Sequence, residues 1–362
     1  MIKPVFTDWL EQDPYSLRLE DKNRLLTKSL YDLTEWHRAA CLEYSKILRV
    51  IGCPHKLPQL PEHIPFIPAR LFKEIELSSV EKSQVFKTLT SSGTTGQNVS
   101  RIYLDRDTAG FQSRILVKIM VDILGKKRLP MLVIDSVNVL KDRQSFSARG
   151  AGILGFSIFG QDVTYALDEN MNLNLIEIQK FLQRHCGQEI FLFGFTFMIW
   201  KHFYLSLKEK GVDLPLDRGI LLHGGGWKKL ESLEISKDNF AKALEQCTGI
   251  KRVVNYYGMV EQTGSIYIEC EAGHLHAPVY SDIVIRCPKD FSSVPIGQEG
   301  LIEVLSLIPL SYPGHALLTE DIGRIDGVDD CQCGRLGKYF TILGRVAKAE
   351  VRGCSDTYET NT

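Results

Sequence analysis

A run of small hydroxylic and glycyl residues has the composition of a phosphate-binding loop. It consists of Ser91, Ser92, Gly93, Thr94, Thr95 and Gly96. Glycines let backbone N–H groups approach an anion closely, and the hydroxyls add donors without bulk. No Lys-Ser/Thr pair follows, so the run is not a Walker loop. A flexible linker has the same composition. A predicted strand (Arg101–Leu104) and helix (Thr108–Leu124) follow directly, however, which favours a loop inside a folded unit.

In two later segments, a predicted strand is also followed directly by glycine. Tyr256 and Tyr257 end one strand, Gly258 follows, and Glu261 comes shortly after. A tyrosine can stack on a base, and a glutamate at a strand exit can hold a magnesium ion that bridges phosphates, although most loop glutamates are simply solvated. The other segment, at residues 224–226, contains Gly224, Gly225 and Gly226. Three glycines permit close backbone contact with a flat ligand such as a purine, but this signal alone is weak.

Four sulfur and imidazole side chains have the spacing of a structural zinc site. They are Cys270, His276, Cys331 and Cys333. The first two form a Cys-x5-His pair and the last two a Cys-x-Cys pair, so a closed tetrahedral site could join two loops. His274 is a competing imidazole. The alternative is that these cysteines are unrelated buried thiols.

Composition and charge exclude several classes of protein. The 362 residues are 44% hydrophobic and 24% charged, as in ordinary globular proteins, and the net charge of -1 provides no overall attraction for nucleic acid or an anionic membrane. The N-terminus lacks the apolar core of a signal peptide, and the apolar stretch Ile190–Trp200 is too short to span a bilayer. We therefore expect a cytoplasmic protein with no membrane span and no nucleic-acid partner. Nine cysteines, an odd number, favour reduced thiols or a metal site over a disulfide framework.

The periodicity of apolar residues predicts an α/β protein. Residues from Trp9 to Arg49 have helical spacing and predict two amphipathic helices, and the prolines of Pro54–Pro68 predict an extended connector. Apolar strands then alternate with amphipathic helices, which predicts a mostly parallel sheet covered by helices. From Ser265, short alternating strands between glycine and proline turns predict a small antiparallel subdomain. The expected segments are a helical segment with connector at 1–80, an α/β core at 81–264, an antiparallel subdomain at 265–345 and a tail at 346–362.

The order of these motifs resembles the adenylate-forming superfamily of acyl-CoA synthetases. The motifs concerned are Ser91–Gln97, Tyr257–Glu261, Thr319–Asp321 and Gly344–Arg345. Within the superfamily, the chain is similar to the phenylacetate-CoA ligase branch. Details at 224–227, 259–265 and 350–355 resemble the acyl-protein synthetases (LuxE) of the fatty-acid reductase complex of luminescent bacteria. The resemblance covers essentially the whole chain beyond residue 60 and implies the fold of the superfamily's large, adenylate-binding domain.

The resemblance also implies a reaction. A carboxylate attacks the α-phosphate of ATP to give acyl-AMP and pyrophosphate, and a thiol then takes the acyl group. The serines and threonines of the loop would bind the phosphates, Tyr256 and Tyr257 would flank the adenine, and Glu261 would ligate magnesium. Asp321 would accept the ribose hydroxyls, and Arg345 would reach the same ribose or the phosphate.

Two departures from the superfamily pattern affect these expectations. Val260 stands where a threonine is usual, so Gln262 or Thr263 is expected to replace the missing hydroxyl. In addition, synthetases usually continue into a mobile domain that supplies a lysine and the CoA tunnel, whereas this sequence stops soon after Arg345. We expect that domain to be absent or severely truncated. An acceptor thiol on the protein itself would then be held at high effective concentration.

The expected acyl acceptor is Cys354. Arg352 would lower the pKa of its thiol and Gly353 would let the backbone move, and the cysteine that is acylated in the acyl-protein synthetases also lies near the C-terminus. The alternative is an incidental exposed thiol. Together with the resemblance, the sequence thus predicts an enzyme that uses ATP, Mg²⁺ and a structural Zn²⁺ to activate a carboxylic acid. The resemblance implies that this acid is a fatty acid and that the acyl group passes to a reductase partner.

Two other functions remain open from the sequence. One is a small acyl- or aryl-CoA ligase, and the other is an inactive adenylate-binding subunit. The presence of Glu261, Asp321 and Arg345 together argues against the inactive subunit.

Overall fold

The structure is a computed structural model that describes residues 3–91, 99–140, 148–225 and 235–346. These residues form two compact units. The first contains the described residues of Met1–Ser91, Asn98–Ile119 and Tyr257–Glu350, and the second contains those of Met120–Tyr256. The domain boundaries expected at 80, 264 and 345 remain a prediction.

The secondary structure of the described residues contains both helices and strands. The α-helices are α1 (Leu19–Ala40), α2 (Leu42–Val50), α3 (Leu71–Glu74), α4 (Arg106–Leu124), α5 (Ala148–Ser157), α6 (Leu175–Arg184), α7 (Thr196–Met198), α8 (Leu205–Lys210) and α9 (Lys237–Thr248). The strands are β1 (Ile67–Pro68), β2 (Lys87–Thr90), β3 (Arg101–Leu104), β4 (Leu129–Ser136), β5 (Gly160–Leu167), β6 (Ile190–Phe195), β7 (Gly219–Gly224), β8 (Arg252–Tyr257), β9 (Tyr267–Glu269), β10 (Leu275–His276), β11 (Ser281–Arg286), β12 (Glu299–Ser306), β13 (Ala316–Val328) and β14 (Lys338–Arg345).

The second unit is built on a parallel sheet. Its strands run in the order β8-β7-β6-β4-β5, and every neighbouring pair is parallel. All residues of β6 and β7 are buried. Because successive side chains of a strand point to opposite faces, both faces of these two strands must be covered. The alternation of strands and helices in the sequence therefore predicted this sheet correctly.

The first unit contains the predicted antiparallel sheet. Its strands run in the order β11-β12-β13-β14-β10-β9, with antiparallel pairs from β11 through to β9, and β1 adds a parallel pair with β13. A separate antiparallel pair is formed by β2 and β3. The register of β13 and β14 makes Asp321 and Arg345 cross-strand partners. This register brings together two residues that lie 24 positions apart in the sequence.

The N-terminal helices belong to the first unit, as their apolar spacing suggested. Leu26, Leu30 and Leu33 of α1 recur at intervals of three and four residues and are fully buried. Lys22 of the same helix is also fully buried, and its ammonium lies 3.3 Å from a carboxylate oxygen of Asp282. Lys338 approaches the other oxygen of Asp282 at 2.8 Å. Two ammonium groups therefore contact the two oxygens of one buried carboxylate, and the contact of Lys22 connects α1 to the antiparallel sheet.

Candidate functional site

In the first unit, Tyr257, Asp321 and Arg345 form one cluster. The Tyr257 hydroxyl donates a hydrogen bond of 2.7 Å to Oδ2 of Asp321, and Nε of Arg345 lies 3.4 Å from Oδ1. Arg345 also donates to Glu320 at 3.0 Å. Burial and the charge of Asp321 raise the pKa of Tyr257 well above its usual range, so its hydroxyl remains a donor at neutral pH. The carboxylate and the guanidinium are both partly exposed, as groups that bind a ligand must be.

Glu261 lies in a short 3₁₀ turn, Val260–Gln262, and is only 8% exposed. Burial raises the pKa of its carboxyl, whereas the Ser100 hydroxyl and the positive charges of Lys73 and Arg345 lower it. The turn is held from one side by Gln262, whose amide donates to the carbonyls of Val304 at 3.0 Å and Gly314 at 2.8 Å. A carboxylate oxygen is a ligand that Mg²⁺ prefers, and cations nearby are suited to bind the phosphate that accompanies the metal.

The hydroxylic loop begins at Ser91, which is half-buried at the end of β2. Its backbone N–H donates to the carbonyl of Ser100 at 3.1 Å, and its hydroxyl accepts from the N–H of Ser100 at 2.9 Å. These two bonds close the base of the loop. Ser92, Gly93, Thr94, Thr95 and Gly96 lie outside the described residues. The sequence reasoning missed Ser100, although its position just before β3 could have marked it as the partner of Ser91.

In the second unit, Gly224 ends β7 against the ring of Tyr256. A Cβ atom at Gly224 would lie 2.4 Å from a ring carbon of Tyr256, so no larger residue fits without a shift. Gly225 has a positive φ of 94°, which favours glycine. The Thr196 hydroxyl lies 2.9 Å from Nδ1 of His223 and donates to the carbonyl of Gly224 at 3.1 Å. Sequence reasoning missed this contribution of Thr196 to the glycine turn.

The roles expected for these nucleotide-contacting residues remain predictions. The ring of Tyr256 packs against Phe156 and Phe193, with centroid distances of 5.2 and 6.3 Å. Gly258 is exposed directly after β8. Gly226 lies outside the described residues. The contacts of Gly224, Gly225, Tyr256 and Gly258 with adenine therefore remain expectations from the sequence.

The first unit brings together the four residues that were expected to bind zinc. The ligand atoms of Cys270, His276, Cys331 and Cys333 all lie within 4.8 Å of one another. The sulfurs of Cys270 and Cys331 are 3.8 Å apart, and the sulfur of Cys333 is 3.4 Å from Nε2 of His276. A tetrahedral zinc ion with Zn–S bonds of about 2.3 Å requires sulfur atoms roughly 3.8 Å apart, so the donor set fits this metal.

The neighbours of this cysteine and histidine cluster also fit a metal. Burial lowers the pKa of His276 to about 3, with a further contribution from the positive charge of Arg335, so the imidazole is neutral as a metal ligand must be. The competing His274 instead lies 3.4 Å from a carboxylate oxygen of Asp326. The eight cysteines of the described residues are free thiols. Cys354 lies outside the described residues.

The helices of the described residues include none with the length and apolar character needed to cross a membrane.

Comparisons with known proteins give a consistent result. The family model of acyl-protein synthetase, LuxE, matches residues 5–361. A long-chain-fatty-acid–luciferin-component ligase of Vibrio harveyi is 23% identical over 94% of this chain and 89% of its own length. Among solved structures, an open conformation of 2-hydroxyisobutyryl-CoA ligase in complex with 2-HIB-AMP and CoA superposes with a TM-score of 0.71 at 14% identity, over 93% of this chain and 78% of that chain.

A second structure of the same ligase, in its thioesterification state, also has a TM-score of 0.71. The predicted fold is therefore confirmed as that of the adenylate-forming ligases. The expected enzyme class, an AMP-forming ligase that activates a carboxylic acid, is confirmed too, and the chain belongs to the acyl-protein synthetase, LuxE, family.

Proposed function

We propose that this enzyme activates a fatty acid with ATP and then transfers the acyl group to its own Cys354. In the first step, a carboxylate oxygen attacks the α-phosphate and pyrophosphate leaves, which gives acyl-AMP. In the second step, the Cys354 thiolate attacks the acyl carbonyl and AMP leaves with the former carboxylate oxygen, which gives a thioester. The observation that carries the proposal is the cluster of Tyr257, Asp321 and Arg345 in a chain of this family.

Each residue of the first unit would have a distinct part in adenylation. Asp321 presents two carboxylate oxygens, which suits a pair of ribose hydroxyls. Arg345 would bind the ribose or a phosphate oxygen through its guanidinium. Glu261 would ligate Mg²⁺, which lowers the negative charge on the phosphates that the carboxylate must approach. Ser91 and the loop that follows it would bind the phosphates of ATP.

We further propose that Cys270, His276, Cys331 and Cys333 bind a structural zinc ion. Four protein ligands leave no open coordination position, so the metal would stabilise the fold and take no part in the chemistry. Cys270 lies in the turn between β9 and β10, His276 lies in β10, and Cys331 and Cys333 lie in the turn between β13 and β14. The metal would therefore join the β9–β10 hairpin to the turn between β13 and β14.

A fatty acid is the proposed substrate because the Vibrio harveyi relative is named for a long-chain fatty acid. The proposed destination of the acyl group is a reductase partner in the cytoplasm. The thioester at Cys354 would keep the acyl group activated until that partner removes it.

The decisive experiment follows both half-reactions in one preparation. The protein is incubated with ATP, Mg²⁺ and a panel of carboxylic acids, exchange of pyrophosphate into ATP is measured, and the intact protein is weighed. We expect exchange with fatty acids and a mass increase of one acyl group that hydroxylamine removes. Cys354→Ser should retain exchange but form no thioester. Acylation of another cysteine in this variant would refute the acceptor assignment, and rapid formation of acyl-CoA after CoA is added would favour a CoA ligase.

A further inference from the structure

Tyr312 is a buried tyrosine near the turn that carries Glu261, and neither step of the proposed reaction uses it. Tyr312 is 0% exposed, and its hydroxyl forms no hydrogen bond with any group in the described part of the chain. A buried hydroxyl without a partner destabilises a folded protein, so native structures rarely contain one without a reason. Its position therefore indicates a partner that arrives with a ligand or with a change at a neighbouring group.

The ring of Tyr312 is held firmly in place. The ring of Phe72 from α3 meets it edge to face, with a centroid distance of 5.8 Å. On another side lies Gly314, where a Cβ atom would come within 2.3 Å of the Tyr312 ring and 2.9 Å of the carbonyl oxygen of Glu261. Only glycine lets the ring and the Glu261 backbone approach the same point so closely.

The segment that carries Tyr312 is also tied to the turn that carries Glu261. The amide of Gln262 donates to the carbonyl of Gly314 at 2.8 Å. Burial and the negative charge of Glu261 both raise the pKa of Tyr312, so the hydroxyl keeps its proton and is a donor. The ring that carries this donor and the backbone of Glu261 thus meet at Gly314.

A carboxylate can serve a metal and a donor together. One oxygen coordinates the cation, while the other accepts a hydrogen bond that fixes the orientation of the group. We propose that Tyr312 is a positioning residue of this kind: its hydroxyl donates to the Glu261 carboxylate when Glu261 binds Mg²⁺, and so orients the metal ligand. This proposal rests on the magnesium-dependent adenylation proposed above.

The test is the magnesium dependence of fatty-acid-dependent pyrophosphate exchange in Tyr312→Phe, which removes only the hydroxyl. Loss of a hydrogen bond to a charged metal ligand should raise the Mg²⁺ concentration that gives half-maximal exchange about tenfold. The melting temperature without ATP and Mg²⁺ should stay the same or rise, because the unsatisfied hydroxyl is gone. The matched control is Tyr280→Phe, which loses the hydrogen bond of 2.8 Å from its hydroxyl to the Gln12 carbonyl. This control should melt at a lower temperature with unchanged magnesium dependence.

The possible results separate the two proposals. Wild-type exchange with the same magnesium dependence in Tyr312→Phe would overturn the role of Tyr312 and leave the proposed function intact. No magnesium-dependent exchange in the wild type would overturn the proposed function, and the role of Tyr312 with it. Should Tyr312→Phe unfold, Phe72→Leu provides the measurement, since it removes the edge-to-face contact but keeps an apolar side chain. It is expected to raise the magnesium requirement in the same direction, and an unchanged requirement would refute the proposal.

Discussion

The hydroxyl of Tyr257 and the carboxylate of Asp321 are joined by a hydrogen bond of 2.7 Å. This bond occupies one carboxylate oxygen, while Arg345 lies 3.4 Å from the other. A ribose that binds Asp321 through two hydroxyls must therefore share these oxygens with Tyr257 and Arg345 or displace them. Sharing is feasible because each carboxylate oxygen has two lone-pair sites.

Asp321→Asn is expected to lower pyrophosphate exchange at least tenfold. The variant keeps the shape of the side chain but removes a charged acceptor, and hydrogen bonds to charged groups contribute about 1.5–3 kcal/mol. The rate should be measured as a function of ATP concentration. Asp326→Asn, on the same strand and bonded to Thr341, is the matched control and should keep the wild-type dependence on ATP. An Asp321→Asn enzyme with wild-type exchange at every ATP concentration would show that Asp321 does not bind the nucleotide.

Glu261→Gln should also reduce exchange at least tenfold, since an amide is a poorer magnesium ligand than a carboxylate and contacts of this kind contribute about 1.5–3 kcal/mol or more. The size of the loss should depend on the Mg²⁺ concentration, which distinguishes a metal ligand from a residue that only supports the fold. Glu299→Gln, at an exposed position of β12, should behave as the wild type. Full activity of a folded Glu261→Gln enzyme would refute the assignment.

Metal analysis of protein purified without chelator is expected to find about one zinc ion per chain, as a closed four-ligand site requires. Cys331→Ser should lose the zinc and melt at a lower temperature, because metal-binding energy contributes directly to folding. Cys186→Ser changes an exposed thiol and should retain both the zinc and the stability. Wild-type protein free of zinc would count decisively against the site.

The stability of the protein should fall as the pH drops below about 6.5, the ordinary pKa of histidine. His37 and His315 stack at 5.2 Å in the core, and burial lowers the pKa of His315 to about 3 and that of His37 well below its usual range. Between pH 6.5 and 3 the unfolded chain binds protons that the folded chain excludes, so the stabilisation is complete above pH 6.5 and is lost on acidification. Each such proton contributes about 1.4 kcal/mol per pH unit.

His315→Gln isolates this effect. Its free energy of unfolding, from urea titrations at pH 5.0 to 6.5, should decline less steeply with falling pH than that of the wild type, by up to about 1.4 kcal/mol per pH unit. His63→Gln replaces an exposed imidazole and should leave the slope unchanged. Equal slopes in the wild type and His315→Gln would mean that His315 is protonated in the folded protein.

Much of the fold could be predicted from periodicity, but strand β5 could not. The apolar strands β4, β6 and β7 are almost entirely buried and stood out in the sequence. Among the strands of the described residues, β5 pairs only with β4, at the end of its sheet, and its residues 161–163 are exposed. It therefore carries polar residues where a buried strand would be apolar, and composition alone did not reveal it.

The candidate site was predictable only in part. Motif order identified Asp321 and Arg345, but the register of β13 and β14 that makes them neighbours depends on pairings distributed along both strands. Tyr312 lies outside every recognised motif, and its relation to Glu261 arises from the path of the chain at Gly314. The spacing of Cys270, His276, Cys331 and Cys333 in the sequence suggested a zinc site. Whether the four residues come together depends on how two hairpins pack, which spacing alone does not determine.

The buried contact between Lys22 and Asp282 constrains the order in which the chain can fold during synthesis. The two residues are separated by 260 positions, and an unpaired ammonium in the core would be strongly unfavourable. Helix α1 can therefore reach its final position only after β11 has left the ribosome, whereas the described residues of the second unit, within Met120–Tyr256, are synthesised before β11. We therefore expect the described part of the unit that holds Asp321 and Arg345 to assemble after that of the second unit.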